Sequence, residues 1–207
     1  MNGVINIGIK IFRSLVRILI LAGVLGVSAC VTAPAKKATY TTKIYTFNST
    51  NRGSYRPVIA LIAMPLKAKG PLPVIITQHG SSRDGIVFSG GRGQTDEYST
   101  RLVYEGTKRG FAVAAIDAFY KTRIQPGDKT KFPNAHQYAL DLKTILASDA
   151  RFDRANIFYT GFSYGAGQVN KSVGIGVDIK SVHWRAVASA EPGCNVISEP
   201  VKVPFPI

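Results

Sequence analysis

Short, unbroken apolar runs alternate along this chain with stretches whose apolar residues recur at helical spacing. Residues 56–65 (RPVIALIAMP) are apolar and β-branched up to a proline stop, and residues 73–77 (PVIIT) form a shorter run bounded by Gly70-Pro71 and Gly80. Both predict strands, the second buried on both faces. Over residues 95–109, Tyr98, Leu102 and Val103 fall on one helical face, acids open the stretch, Lys108 and Arg109 close it, and Gly110 follows. That pattern predicts a helix with a glycine stop. Residues 111–116 (FAVAAI) give a third strand, and residues 135–147 a helix with Tyr138, Leu142, Ile145 and Leu146 along one face. Residues 156–160 (NIFYT) predict a strand, a helix starts at Ala166, and residues 184–190 (WRAVASA) predict the last strand. Before all of these, residues 38–47 (ATYTTKIYTF) alternate polar and apolar and lead into an Asn-Ser-Thr-Asn-Arg-Gly turn, which suggests an antiparallel hairpin at one sheet edge. The strand-helix alternation predicts an α/β fold with a mostly parallel sheet and helices on both faces.

Composition narrows the function classes. The 207 residues are 45% hydrophobic and 18% charged, enough apolar material for one mid-sized core, which excludes wholesale disorder. Two cysteines exclude a disulfide-built miniprotein and a multi-Cys zinc site. No metal-ligand spacing or phosphate loop is present, Gly174 and Gly176 being too short a pattern, so neither metal nor cofactor is expected. The net charge is +14, but Lys and Arg are scattered in ones and twos, as at Lys36-Lys37 and Lys108-Arg109, without an interleaved aromatic stripe. Nucleic-acid binding is therefore not expected, and a solvated basic face near anionic lipid is the plainer reading.

Residues 1–29 carry Lys10, Arg13 and Arg17 and no acid, followed by the apolar run 18–27 and then small residues. This is a secretory signal layout, its apolar run too short to span a bilayer. It ends in Val27-Ser28-Ala29-Cys30, which resembles the lipobox of bacterial lipoproteins; the alternative is a chance cysteine after a signal segment. The resemblance implies cleavage before Cys30, acylation of its thiol and, with Val31 rather than Asp next, an outer-membrane destination in a diderm, facing the periplasm. Losing three positive charges would leave +11. Residues 30–39 read as a tether and residues 40–207 as the folded domain.

The chemistry concentrates at residues 156–167. Strand NIFYT runs into Gly161-Phe162-Ser163-Tyr164-Gly165 and then a helix, the strand-turn-helix context of a G-x-S-x-G nucleophile elbow. Gly161 and Gly165 would remove side chains from a sharp turn, lifting Ser163 Oγ above the sheet, and the following helix would aim N–H groups at a developing oxyanion. The bland alternative is a glycine-rich junction with an incidental serine. Gln78-His79-Gly80-Ser81-Ser82, directly after strand PVIIT, occupies the place of an oxyanion loop. The backbone N–H groups of Tyr164 and Ser81 are the expected oxyanion donors, and His79 reads as a structural support of the turn rather than a base.

With QHGSS at 78–82, the strand end IDAF at 116–119, GFSYGAG at 161–167 and AEPGC at 190–194, residues 40–207 resemble the α/β-hydrolase superfamily, nearest its dienelactone hydrolase-like branch. The resemblance implies a serine hydrolase of carboxylic esters or lactones working through an acyl-enzyme on Ser163. Ser163 stands where dienelactone hydrolases carry a cysteine, which favours ordinary ester hydrolysis. The family's acid follows a seventh strand and its histidine a later loop, whereas residues 204–207 (PFPI) look like the opening of that strand; the sheet is expected to be incomplete after the sixth strand, with acid and histidine beyond residue 207. Glu191, after the sixth strand, is a candidate acid; Asp178 and His183 precede that strand and lie at its opposite end. Asp117 and Arg123 either line a substrate pocket or form a surface ion pair, and Cys194 is either a buried thiol or a disulfide partner for a cysteine outside this chain. The alternatives are a noncatalytic envelope lipoprotein that keeps the fold for binding, and a prolyl-oligopeptidase-like peptidase.

Overall fold

The computed structural model describes residues 39–50, 57–82, 96–120, 132–174 and 184–192. Within them six strands form one sheet: β1 (Tyr40–Asn48), β2 (Pro57–Pro65), β3 (Leu72–Gln78), β4 (Ala112–Asp117), β5 (Phe152–Phe162) and β6 (Val187–Ala190). Their order across the sheet is β1-β2-β4-β3-β5-β6. β1 and β2 pair antiparallel in unbroken register from Tyr40↔Pro65 to Asn48↔Pro57, and β2 is also antiparallel to β4; all other pairings are parallel. The expected edge hairpin on a parallel sheet is therefore present.

Three helices connect the parallel strands: α1 (Glu97–Lys108), α2 (Ala135–Ala147) and α3 (Tyr164–Val173). The step from β3 to β4 moves one way across the sheet, and the steps to β5 and β6 move the other way. Right-handed crossovers consequently put α1 on one face and α2 with α3 on the opposite face. On the α2/α3 face the core is built by Val74, Ile76, Ile116, Leu142, Ile157 and Tyr159, each fully buried. On the α1 face a smaller set, Ala63, Val103 and Val113, is buried. There Gly106 permits close approach, since a Cβ on it would lie 2.7 Å from Val113 Cγ2.

The helix ends follow their sequence signals. Asp96 caps α1 by accepting from Ser99 N–H at 2.8 Å, and Gly110, at φ +87°, turns the chain out so that Phe111 N–H reaches Gly106 O at 3.0 Å. At the other end of the sheet, Asp141 on α2 accepts from Ser49 Oγ, Thr50 N–H and Thr50 Oγ1 at 2.7–2.8 Å, which fastens the end of β1 to the helical layer. Several boundaries differ from the sequence pattern, among them three around the serine turn. β5 is longer than NIFYT, continuing to Phe162; α3 opens at Tyr164 rather than Ala166; and β6 opens at Val187, because Trp184 turns inward to stack on Tyr159 with ring centroids 5.0 Å apart. Among the described residues no helix is long and apolar enough to cross a membrane.

Candidate active site

β3 and β5 are neighbours, and Gln78 pairs with Gly161. The loop after β3 and the turn after β5 therefore leave the C-terminal edge of the sheet side by side, the place where open α/β sheets bind ligands. In the turn, Ser163 sits at φ 52°, ψ −110°. A residue with a Cβ rarely adopts this conformation, which costs about 1–3 kcal/mol and persists only where the surroundings enforce it. Two backbone bonds do so here: Ser163 N–H donates to Ala190 O of β6 at 2.9 Å, and Ser163 O accepts from Gly167 N–H at 3.1 Å.

The glycines are required by contact. A Cβ on Gly161 would lie 2.4 Å from the carbonyl carbon of Gly165, and one on Gly165 would lie 2.2 Å from Gln78 O and 2.9 Å from His79 O. The turn is thus pressed directly against the end of β3. Gly80 has a looser version of the same role, its would-be Cβ lying 3.2 Å from the Phe162 ring. Ser81, next in the chain, is half-buried beside the elbow. Tyr164 opens α3, and its N–H is one of the first-turn amides that a helix leaves without an intrahelical partner.

His79 is fully buried and occupied at both ring nitrogens. Nε2 accepts from Ala118 N–H at 3.0 Å, so Nδ1 carries the proton and donates to Gly80 O at 2.7 Å. The ring staples the loop after β3 to the strand end after β4, and it is not available as a base for Ser163. Asp117 is buried at 2% exposure and accepts from Phe119 N–H at 3.0 Å. The pairing with Arg123 weighed for it lies outside the described residues, because Arg123 does. Glu191 is exposed, at φ 53°, one residue beyond the Phe162↔Ala190 pair, so the register sets it level with Ser163 along the sheet edge. Among the described residues no histidine or carboxylate is hydrogen-bonded to Ser163 Oγ. Cys30, Arg123, Asp178, His183, Cys194 and the stretch 204–207 lie outside the described residues.

Sequence reading did not anticipate the rings that flank Ser163. On one side Tyr164 stacks on Phe119 and meets Phe132 edge-on, with centroids 5.2 and 5.0 Å apart, and its hydroxyl donates to Pro133 O at 2.6 Å. Burial pushes this phenol well above its ordinary pKa, which keeps it a neutral donor. On the other side Phe162 stacks on Tyr98, whose hydroxyl is 2.7 Å from Thr160 Oγ1. Phe162, Tyr164 and Phe119 lay in quoted motifs and Tyr98 on a predicted helical face, but their meeting with one another and with Phe132 depends on distant segments, which spacing in the chain does not reveal. His136 on α2 was also unforeseen: its N–H donates to Gln168 Oε1 of α3 at 3.3 Å.

No protein-family model matches the chain, and no curated protein matches it in sequence. Solved structures do match in shape. The esterase of the hyperthermophilic archaeon Pyrobaculum calidifontis superposes with a TM-score of 0.56 at 18% identity, over 80% of this chain and 48% of that one. Brefeldin A esterase, a bacterial homologue of human hormone-sensitive lipase, gives 0.56 at 13% identity, over 80% and 43%. A dienelactone hydrolase-like promiscuous phosphotriesterase from metagenomic libraries gives 0.52 at 12%, over 75% and 61%. The chain thus spans about half the length of these enzymes. With the strand order, the crossovers and the strained serine turn, these likenesses show that the described residues take up the α/β-hydrolase fold.

Proposed function

We propose that this protein is a serine hydrolase of carboxylic esters, with Ser163 as nucleophile. The observation that carries the reading is Ser163 at φ 52°, held beside the loop after β3 by glycines whose side-chain space is already filled by backbone. Strain enforced from three strands at a serine serves no packing purpose that another residue would not serve at lower cost. In the reaction, Ser163 Oγ adds to the ester carbonyl as its proton passes to a base. The N–H groups of Tyr164 and Ser81 hold the oxyanion, the alcohol departs with the proton, and water releases the acid from the acyl-enzyme. His79 keeps the oxyanion loop in place. The base is a histidine supplied from beyond residue 207, and the acid comes from there or is Glu191, whose register favours it.

The sequence of residues 10–30 supports the companion reading, a lipid anchor on Cys30 that holds the enzyme in the bacterial envelope. A noncatalytic binding role is the second reading, favoured by one observation: among the described residues Ser163 Oγ has no base. The protein expressed from its complete coding sequence separates the two. A fluorophosphonate probe is expected to label Ser163, and Ser163→Ala is expected to lose labelling and p-nitrophenyl acetate turnover by at least about 10³-fold. A folded protein that neither takes the probe nor turns over short esters refutes the hydrolase reading.

A further inference from the structure

We propose that the N-terminal edge of the sheet, opposite Ser163, is a docking surface for an anionic phospholipid membrane. The connections at that edge lead into β3, β4, β5 and β6, and each brings exposed cations: Lys67 and Lys69 before β3, Lys108 before β4, Arg154 at the start of β5 and Arg185 before β6. The backbone bonds fix their common level. Ala63 pairs with Val113, Leu72 N–H donates to Arg151 O at 2.9 Å, and Arg185 N–H donates to Ile157 O at 2.9 Å. From β2 to β6 there are four inter-strand steps, so the cations spread across roughly 19 Å. Carboxylates at this edge are turned to other partners: Glu105 to Arg109, Asp149 to Arg151, and Asp153 to Ala155 N–H and Asn156 Nδ2.

Two further observations favour a membrane over a polyanionic polymer. Leu66 is 55% exposed directly before Lys67 and Lys69, an apolar side chain set among cations, as an interfacial loop requires. Its N–H donates to Thr39 O at 3.1 Å, so the chain joins the domain at this same edge. Eight residues lie between Cys30 and Thr39, nine chain steps that reach at most about 31 Å, so an acylated Cys30 would be tethered to the domain through this edge. With this edge docked, the serine would open away from the membrane toward soluble substrate. Charge docking is independent of the hydrolase reading.

The test measures partition of the full chain onto phosphatidylcholine vesicles with and without about one part in four phosphatidylglycerol. The ratio of the two cancels the apolar contribution of residues 1–29, and the cations of that segment, Lys10, Arg13 and Arg17, are common to every variant compared. The wild type is expected to prefer the anionic vesicles and to lose that preference at about 0.5 M salt. Each cation at an anionic surface contributes about fivefold, so K67Q/K69Q/K108Q should lose roughly 100-fold of the preference. Leu66→Ser should weaken binding to both vesicles without changing the salt dependence. Removing the same charge between β4 and α2 in the sequence, K121Q/K129Q/K131Q, should cost far less. An equal loss from both triple variants, equal binding to neutral and anionic vesicles, or heparin bound as tightly as vesicles with the same variant pattern would each overturn the proposal.

Discussion

At Gly165 and Gly167, two residues apart on one turn, the same substitution has opposite expected effects. The space for a Cβ at Gly165 is already taken by Gln78 O at 2.2 Å, and Gln78 is the end of a central strand that cannot retreat. Gly165→Ala should therefore cost more than about 3 kcal/mol or prevent folding, the upper range of overpacking penalties. A Cβ at Gly167 meets nothing within 4 Å and sits inside α3, where alanine is better than glycine by up to about 1 kcal/mol. Gly167→Ala should raise the urea midpoint. A soluble, fully stable Gly165→Ala protein would mean that the turn is not pressed on β3, and the enforcement of the Ser163 conformation would lose its cause. His79 belongs to the same scale: the motif containing it was legible, but its tautomer was not. That depends on Ala118 N–H, 39 residues away, which spacing in the chain cannot reveal.

Between elements, α2 and α3 meet through His136 and Gln168, and this contact is sensitive to pH. Burial holds the His136 imidazole below its ordinary pKa of 6.5, with a smaller contribution from Lys171 in the same direction. The folded state thus disfavours the proton that the unfolded chain accepts near 6.5. Its stabilising contribution is complete above that value and is lost as the pH falls below it, toward the lower folded pKa. The urea midpoint of the wild type should drop more between pH 7.5 and 5.5 than that of His136→Asn. Identical drops in the two proteins would show that the ring titrates as it does in the unfolded chain. Element type was legible throughout because hydrophobic period decides it: the unbroken runs of β3 and β4 and the helical stripe of α2 are largely buried, whereas the edge strand β1 buries Phe47 and leaves Ile44 45% exposed. Element ends were less so. The inward turn of Trp184 onto Tyr159 shortened β6, and the elbow closed α3 onto Ser163 two residues early, both consequences of tertiary contact rather than local preference.

Across the described part of the molecule the two faces of the sheet are unequal, and the Ser163 edge lies between them. The α2/α3 face holds the large buried cluster, whereas α1 is held, among the described residues, by Ala63, Val103 and Val113 and by the close approach of Gly106. Apolar burial sets the free energy of local opening, so α1 should be the first helix to detach. Native-state hydrogen exchange should find the α1 amides opening at lower denaturant than those of β3, β4 and α3, and Val103→Ala should lower α1 protection with little effect on the others. The consequence reaches the site, because Tyr98 on the first turn of α1 stacks on Phe162 and bonds Thr160 directly below Ser163. When α1 opens, that wall of the serine turn goes with it, while the Tyr164, Phe119 and Phe132 wall stays anchored on the larger core. One side of the elbow would then be rigid and the other able to yield to substrate. If α1 instead exchanges only with global unfolding, both walls of the serine turn are fixed, and any adaptation to the proposed substrate would have to come from the loops around it.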